Sequence, residues 1–196
     1  MNTTTTDPVQ EVIARRPKRA DALRNYEKLL AAARDAFAER GASTSLEEVA
    51  RRAGVGIGTL YRHFPTRQEL LEAVYVGELE AICHSADALA GLPPWDALVS
   101  WLHEFVGYLA TKRALATELL NYMAPDADVF RSCRTELYTA GAALLERAQA
   151  AGVVRADTDI GEVIQMVGGI AKIPNAEPEQ ITRILEMALD GLRYRQ

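Results

Sequence analysis

Ser45-Leu46-Glu47-Glu48-Val49-Ala50-Arg51-Arg52-Ala53-Gly54-Val55-Gly56-Ile57-Gly58-Thr59-Leu60-Tyr61-Arg62-His63-Phe64 is the stretch that decides how this chain is read. Ser45 can cap a helix, and Glu48 three residues on completes a capping box. That helix is short, because Gly54 stops it before Val55. A second short helix covers about 57–63 and stops before Pro65. The two meet at Ala53-Gly54-Val55, where Ala50 is small enough for close packing and Gly54 is free to take φ > 0. This is helix-turn-helix grammar, in which the second helix enters the major groove of DNA and the first crosses the backbone. Leu46, Val49, Leu60 and Phe64 are expected to hold the pair onto a preceding helix. Thr59, Arg62 and part of Tyr61 are left facing outward.

Helical periodicity continues on both sides, and no segment alternates with the period of two that a strand needs. Upstream, Leu23, Tyr26, Leu30, Ala33 and Phe37 form one apolar stripe, ended by Gly41 as a left-handed residue. Downstream, Thr66 and Glu69 repeat the capping-box pattern and open a long helix to about Leu89, before the breaker Gly91-Leu92-Pro93-Pro94. Further helices are expected at about 95–111, 113–123, 127–151, 158–172 and 178–194, giving nine helices and an all-α fold. Residues 1–19 read as a flexible arm, basic at Arg15, Arg16, Lys18 and Arg19.

Composition and charge narrow the function. Apolar residues make up 48% and charged residues 25%, the balance of a folded globular chain. The longest uncharged runs are nine residues, far below the roughly 20 that span a bilayer. The polar, threonine-rich start lacks the apolar core of a signal peptide, and the 2 cysteines, Cys83 and Cys133, read as reduced thiols, so a cytoplasmic location is expected. The net charge of −5 is uneven: residues 11–70 carry 12 Lys and Arg against 8 Asp and Glu, while residues 71–196 carry 10 against 18. A basic first third suggests an anionic partner for that part alone. No nucleophile–base pair or phosphate loop is recognisable, and Cys83, His84, His103 and Cys133 lack metal-ligand spacing, so neither an enzyme nor a metal or cofactor site is expected.

The segments Phe37-Ala38-Glu39-Arg40-Gly41, Val49-Ala50, Ala53-Gly54-Val55 and Gly58-Thr59-Leu60-Tyr61-Arg62-His63-Phe64, with Arg67, Leu70 and Leu71, resemble the tetracycline-repressor (TetR) family of bacterial transcriptional regulators. The resemblance is close over about residues 20–71 and continues beyond only as an all-helical layout. Arg67 stands where relatives usually carry Lys, and Gly56 where Ser or Ala is common. The resemblance implies that Tyr61, His63 and Arg67 contact phosphates, with hydroxyls of Thr44 and Ser45 on the opposite strand. It leaves base reading to Ile57, Gly58, Thr59 and Arg62; a guanidinium can fork onto guanine. Residues 20–65 would be the DNA-binding domain and 66–196 the regulatory, ligand-binding and dimerisation domain.

The family likeness also implies a ligand cavity and a dimer. Trp101, Phe105, Tyr108, Tyr122, Met123 and Phe130 are the candidate walls for a small, largely apolar or aromatic effector. The last two helices resemble a dimerisation pair, with Ile164, Gly168, Leu185 and Leu192 as candidate interface residues. The expected function is a homodimeric repressor that binds a palindromic operator in double-stranded DNA, associates with the nucleoid when bound there, and leaves on binding its effector. The competing reading is a ligand-independent architectural DNA-binding protein.

Overall fold

The computed structural model describes residues 7–193, the side chains of residues 42 and 110 apart. Among these residues the chain forms nine α-helices: α1 (Pro8–Ala14), α2 (Ala20–Arg40), α3 (Leu46–Ala53), α4 (Ile57–His63), α5 (Arg67–Ala88), α6 (Pro94–Leu119), α7 (Asp128–Ala150), α8 (Ile160–Ile170) and α9 (Pro178–Asp190). Short 3-10 turns follow α2 and α5. The only extended pairing among the described residues is an isolated antiparallel bridge between Val154 and Arg193. The all-α expectation holds, and the helix count agrees for different reasons at two places.

Within the expected arm, residues 8–14 are helical. The Asp7 carboxylate accepts the Val9 N–H at 3.0 Å, Pro8 occupies the first turn, and Val9 and Val12 are buried. A cap and two apolar residues one turn apart suffice to fold a segment that composition alone reads as loose. Residues 1–6 of the expected arm and 194–196 of the last segment lie outside the described residues. The second difference is at 111–113, where α6 runs through without a break. Thr111-Lys112-Arg113 contains no Gly or Pro, and Leu115 and Leu119 carry the buried stripe onward.

Contacts group the chain into two compact units. The first comprises the residues through Leu79 with Thr111–Cys133, the second Glu80–Ala110 with the residues from Arg134 onward. This grouping is one of contact; the division expected at 65/66 is one of role.

In the first unit α2 supplies the central stripe Tyr26, Leu29, Ala33, Ala36 and Phe37, all buried. Val49, Leu60 and Phe64 join the same core as the spacing predicts, with Ala50 beside them, whereas Leu46, also expected there, is only half-buried. Residues 70, 71 and 73–76 are buried on every side of α5, which marks that stretch as a core helix. The capping boxes divide. Thr66 and Glu69 exchange both bonds, at 3.1 and 3.2 Å. At Ser45 one half is present, the Glu48 N–H donating to Oγ at 3.1 Å; the Glu48 carboxylate is drawn away by Arg51 and Arg52, at 2.7–2.8 Å. Gly41 has φ 50° and ψ −127°, a positive φ outside the left-handed helical basin that was expected.

In the second unit Trp101 is fully buried and its indole N–H donates to the Ile82 carbonyl at 2.9 Å. Gly141 lets α7 approach: a Cβ there would stand 2.8 Å from Trp101 Cη2 and 2.9 Å from Ile160 Cδ1. The Arg147 guanidinium pins the turn before α6 by donating to the carbonyls of Ala90 and Leu92 at 2.7 and 3.0 Å. A reciprocal box between Asp159 and Glu162 starts α8, which packs on α9.

Candidate nucleic-acid interface

The turn that presents α4 is fixed locally. Gly54 takes φ 67° and ψ 31°, and the Val55 N–H donates back to the Ala50 carbonyl at 3.0 Å. A side chain at this backbone conformation would be strained, which is why the α3–α4 corner needs glycine. Gly56 begins α4 without a side-chain cap. Leu60 points inward, and Phe64 packs against Tyr26 of α2 with ring centroids 5.0 Å apart and planes tilted by 33°. Two apolar anchors thus seat a seven-residue helix and leave its other faces to solvent.

The open faces carry most of the residues expected to read DNA. Ile57, Gly58, Tyr61 and Arg62 are exposed, Tyr61 to 45%, and Thr59 is half-buried. A Cβ on Gly58 would meet nothing within 4 Å, so backbone and partner can approach closely there. Arg62 folds back along its own helix, donating to the Gly58 carbonyl at 3.2 Å and to Thr59 Oγ1 at 3.3 Å. Such long, solvent-exposed bonds cost little to exchange for a base edge. His63 lies edge-on to Tyr26 at 6.0 Å, half-buried. Burial, and then the charge of Arg62, push its pKa below the usual value, so the imidazole is neutral near pH 7 and offers a hydrogen bond rather than a cation.

Two of the other expected phosphate contacts, Thr44 and Arg67, are placed differently. Thr44 is only 2% exposed, and its hydroxyl donates to the Ala36 carbonyl at 2.8 Å. That hydroxyl closes the α2–α3 link and does not face outward. Ser45 is the α3 cap, as expected, and is an exposed residue. Arg67 turns inward: it donates to the Thr44 carbonyl, lies 3.6 Å from a Glu118 oxygen and stacks 4.8 Å from the Phe37 ring centroid. Arg67 was expected on a phosphate, and in this structure its guanidinium is engaged in these internal contacts instead. On α3, Arg51 and Arg52 are held by Glu48, and Arg52 also by Glu39 at 2.7 Å. These bonds hold the Glu39 and Glu48 carboxyls below the usual range and neutralise cations that a count of charges would credit to DNA.

The aromatic candidates fall into both units. In the second, Trp101 and Phe105 stack at 5.6 Å with rings 4° from parallel, and Phe105 stacks on Tyr108 at 5.9 Å. In the first, Phe130 packs edge-on against Tyr75 at 5.3 Å, Met123 is half-buried and Tyr122 is exposed. A shallow groove on the second unit is lined by Arg134, Thr135, Tyr138, Thr139, Ala142 and Ile160. Cys83, also in the second unit, is half-buried; burial, then Glu136, push its thiol up to about 11, so it is no thiolate at neutral pH.

Of the expected interface residues, Ile164, Leu185 and Leu192 are already buried within the single chain. They have almost no surface left to give a partner. Gly168 keeps an open approach, as does Gly169, and Met187 of α9 is 67% exposed. Glu118, a buried carboxylate, also escaped the sequence reading; a charge beside the buried Leu115 and Leu119 in one helix was the signal.

Comparison with known proteins agrees with this geometry. The profile for bacterial regulatory proteins of the tetR family matches residues 29–74, and that for the SbtR-like transcriptional regulator C-terminal domain matches 93–194. A TetR transcriptional regulator of Streptomyces coelicolor is 39% identical, with 87% of this chain and 99% of that chain covered and a TM-score of 0.78. A TetR transcription regulatory protein of Mycobacterium vanbaalenii is 34% identical over 90% and 99%, with a TM-score of 0.75. The regulator UidR of Escherichia coli is 30% identical over 99 residues, 47% of this chain; the match spans about half the length of that curated relative, 48%. Matched through both its helix-turn-helix and its C-terminal helices, the chain belongs to the tetracycline-repressor family of bacterial regulatory proteins.

Proposed function

We propose that this chain is a homodimeric transcriptional repressor that reads a palindromic operator with α4 and leaves it on binding a small apolar effector. In this reading residues 20–65 do the DNA reading, and residues 66–196 do the regulation and pairing. The observation that carries it is the outward set Ile57, Gly58, Thr59, Tyr61 and Arg62 on a helix seated by Leu60 and Phe64. A seven-residue helix with this much exposed apolar and basic surface has its remaining purpose in a groove. Tyr61 and His63 supply phosphate hydrogen bonds, Ser45 adds a hydroxyl, and Arg62 reads a base edge. Pairing uses the open face of α8 at Gly168 and Gly169 with Met187 of α9, in place of the residues that the chain buries for itself.

Release follows from dimer geometry. Two recognition helices reach successive major grooves only when about 34–36 Å apart, so a small tilt of α5 is enough to spoil binding. An effector among the aromatic residues of α6 acts by its differential affinity for the two states, typically about 1–3 kcal/mol of coupling. The test is selection of duplexes from a random pool, then ligand titration with and without the recovered site. Enrichment of an inverted repeat supports the reading, and no enrichment overturns it. Equal ligand affinities in the two titrations would leave the architectural reading in place.

A further inference from the structure

We propose that Glu118 is a positioning residue for DNA reading: it holds Arg67 against the Thr44 carbonyl and so fixes where α3, and with it α4, begins. The proposal rests on the reading of this chain as an operator-binding protein.

Glu118 lies in the last turn of α6 and is 6% exposed. A carboxylate is rarely so covered unless it is paired. Its partner in the first unit is Arg67, in the first turn of α5, at 3.6 Å. The other Glu118 oxygen lies at the Gly41 turn, 3.7 Å from where a Cβ on that glycine would stand. Arg67 donates to the carbonyl of Thr44 and stacks on Phe37. Thr44 in turn donates its hydroxyl to the Ala36 carbonyl and precedes Ser45, the α3 cap. Five residues from three separate stretches of sequence therefore meet at one joint: Phe37, Gly41 and Thr44, then Arg67, then Glu118. The guanidinium is the piece that touches most of them, and its planar fork suits a carboxylate, a carbonyl and a ring face together.

The joint acts at a distance from DNA. Without the carboxylate, Arg67 keeps its charge but loses the group that aims it at Thr44. The start of α3 then loosens, and α4, packed on α3, loses its fixed presentation. Sub-ångström to ångström displacements of a reading helix are enough to misplace a bidentate base contact. Simple electrostatics gives the opposite sign: deleting a carboxylate from a DNA-binding unit reduces repulsion of phosphate and strengthens binding.

That difference in sign is the test. Operator affinity is measured by fluorescence anisotropy over a range of salt for the full chain and for Glu118→Gln, Arg67→Lys and the double variant, with melting curves beside them. Glu118→Gln is expected to bind roughly 5- to 30-fold more weakly, with an unchanged slope of log affinity on log salt because no phosphate contact is lost. Arg67→Lys is expected to lose a similar factor, since an ammonium cannot fork, and the double variant little more than either alone. Glu118→Gln bound as tightly as the parent or tighter would overturn the proposal. So would Arg67→Lys at full affinity, the behaviour of a phosphate-binding cation; this variant decides the matter should Glu118→Gln fail to fold. A parent chain that enriches no duplex removes the operator reading itself, a result separate from any difference between variants.

Discussion

α4 and α8 are both short, glycine-bearing helices rich in isoleucine, valine or leucine, yet they handle their apolar residues in opposite ways. α8 turns Val163, Ile164, Val167 and Ile170 inward, and packs on α9. α4 buries Leu60 alone and leaves Ile57 and Tyr61 in solvent. The first helix is finished within one chain, and the second is not. The difference teaches that apolar periodicity reports a covered face without naming what covers it. Only the residues that stay uncovered after folding, such as Ile57, Tyr61 and Met187, can name a partner.

The largest way to break this comparison is to charge the finished side. Leu185, 1% exposed, replaced by Glu would place an unpaired carboxylate in a core, costing more than about 4 kcal/mol, and urea titration should show loss of the cooperative fold. Met187→Glu should instead keep the cooperative fold and shift sedimentation from dimer to monomer. If the two variants behaved alike, the division between covered and open faces would be wrong.

A smaller effect sharpens the packing of the second unit. Gly141→Ala forces a methyl to within 3 Å of Trp101 and Ile160, and should destabilise by about 1–3 kcal/mol in thermal melts with no change in operator sequence preference. Tyr61→Phe removes one exposed hydroxyl from α4; binding should weaken by about 0.5–1.5 kcal/mol for every duplex alike, measured by anisotropy on matched and mismatched sites.

The smallest effect concerns His63. Burial holds its pKa below the unfolded value of 6.5, so the folded chain takes up a proton less readily than the unfolded one. Stability is therefore full above about pH 6.5 and declines as the pH falls below it. His63→Gln should flatten the dependence of melting temperature on pH below about 6.5.

The first unit was legible because its signals are local. Gly54 is required by the corner it makes, and the spacing of Val49, Leu60 and Phe64 fixes which sides of two short helices turn inward. The errors arise where a side chain's partner is remote in sequence. Thr44 and Arg67 carry groups suited to phosphate, but Ala36 and Glu118 claim them, and neither pairing has a sequence pattern. Ser45–Glu48 has the spacing of a capping box, and two arginines one turn on outcompete the backbone for the carboxylate. The expected dimer residues Ile164 and Leu185 share helical faces that are covered within the chain itself, which spacing alone does not reveal.

The central claim is that α4 reads base edges, and Arg62 is where it is most exposed to test. Duplex selection from a random pool, run side by side for the parent chain and Arg62→Ala, measures it directly. The account expects the parent to recover an inverted repeat and the variant to lose preference at one position in each half-site, at a cost of about 1–3 kcal/mol. Recovery of the same operator with unchanged preference at every position would contradict it.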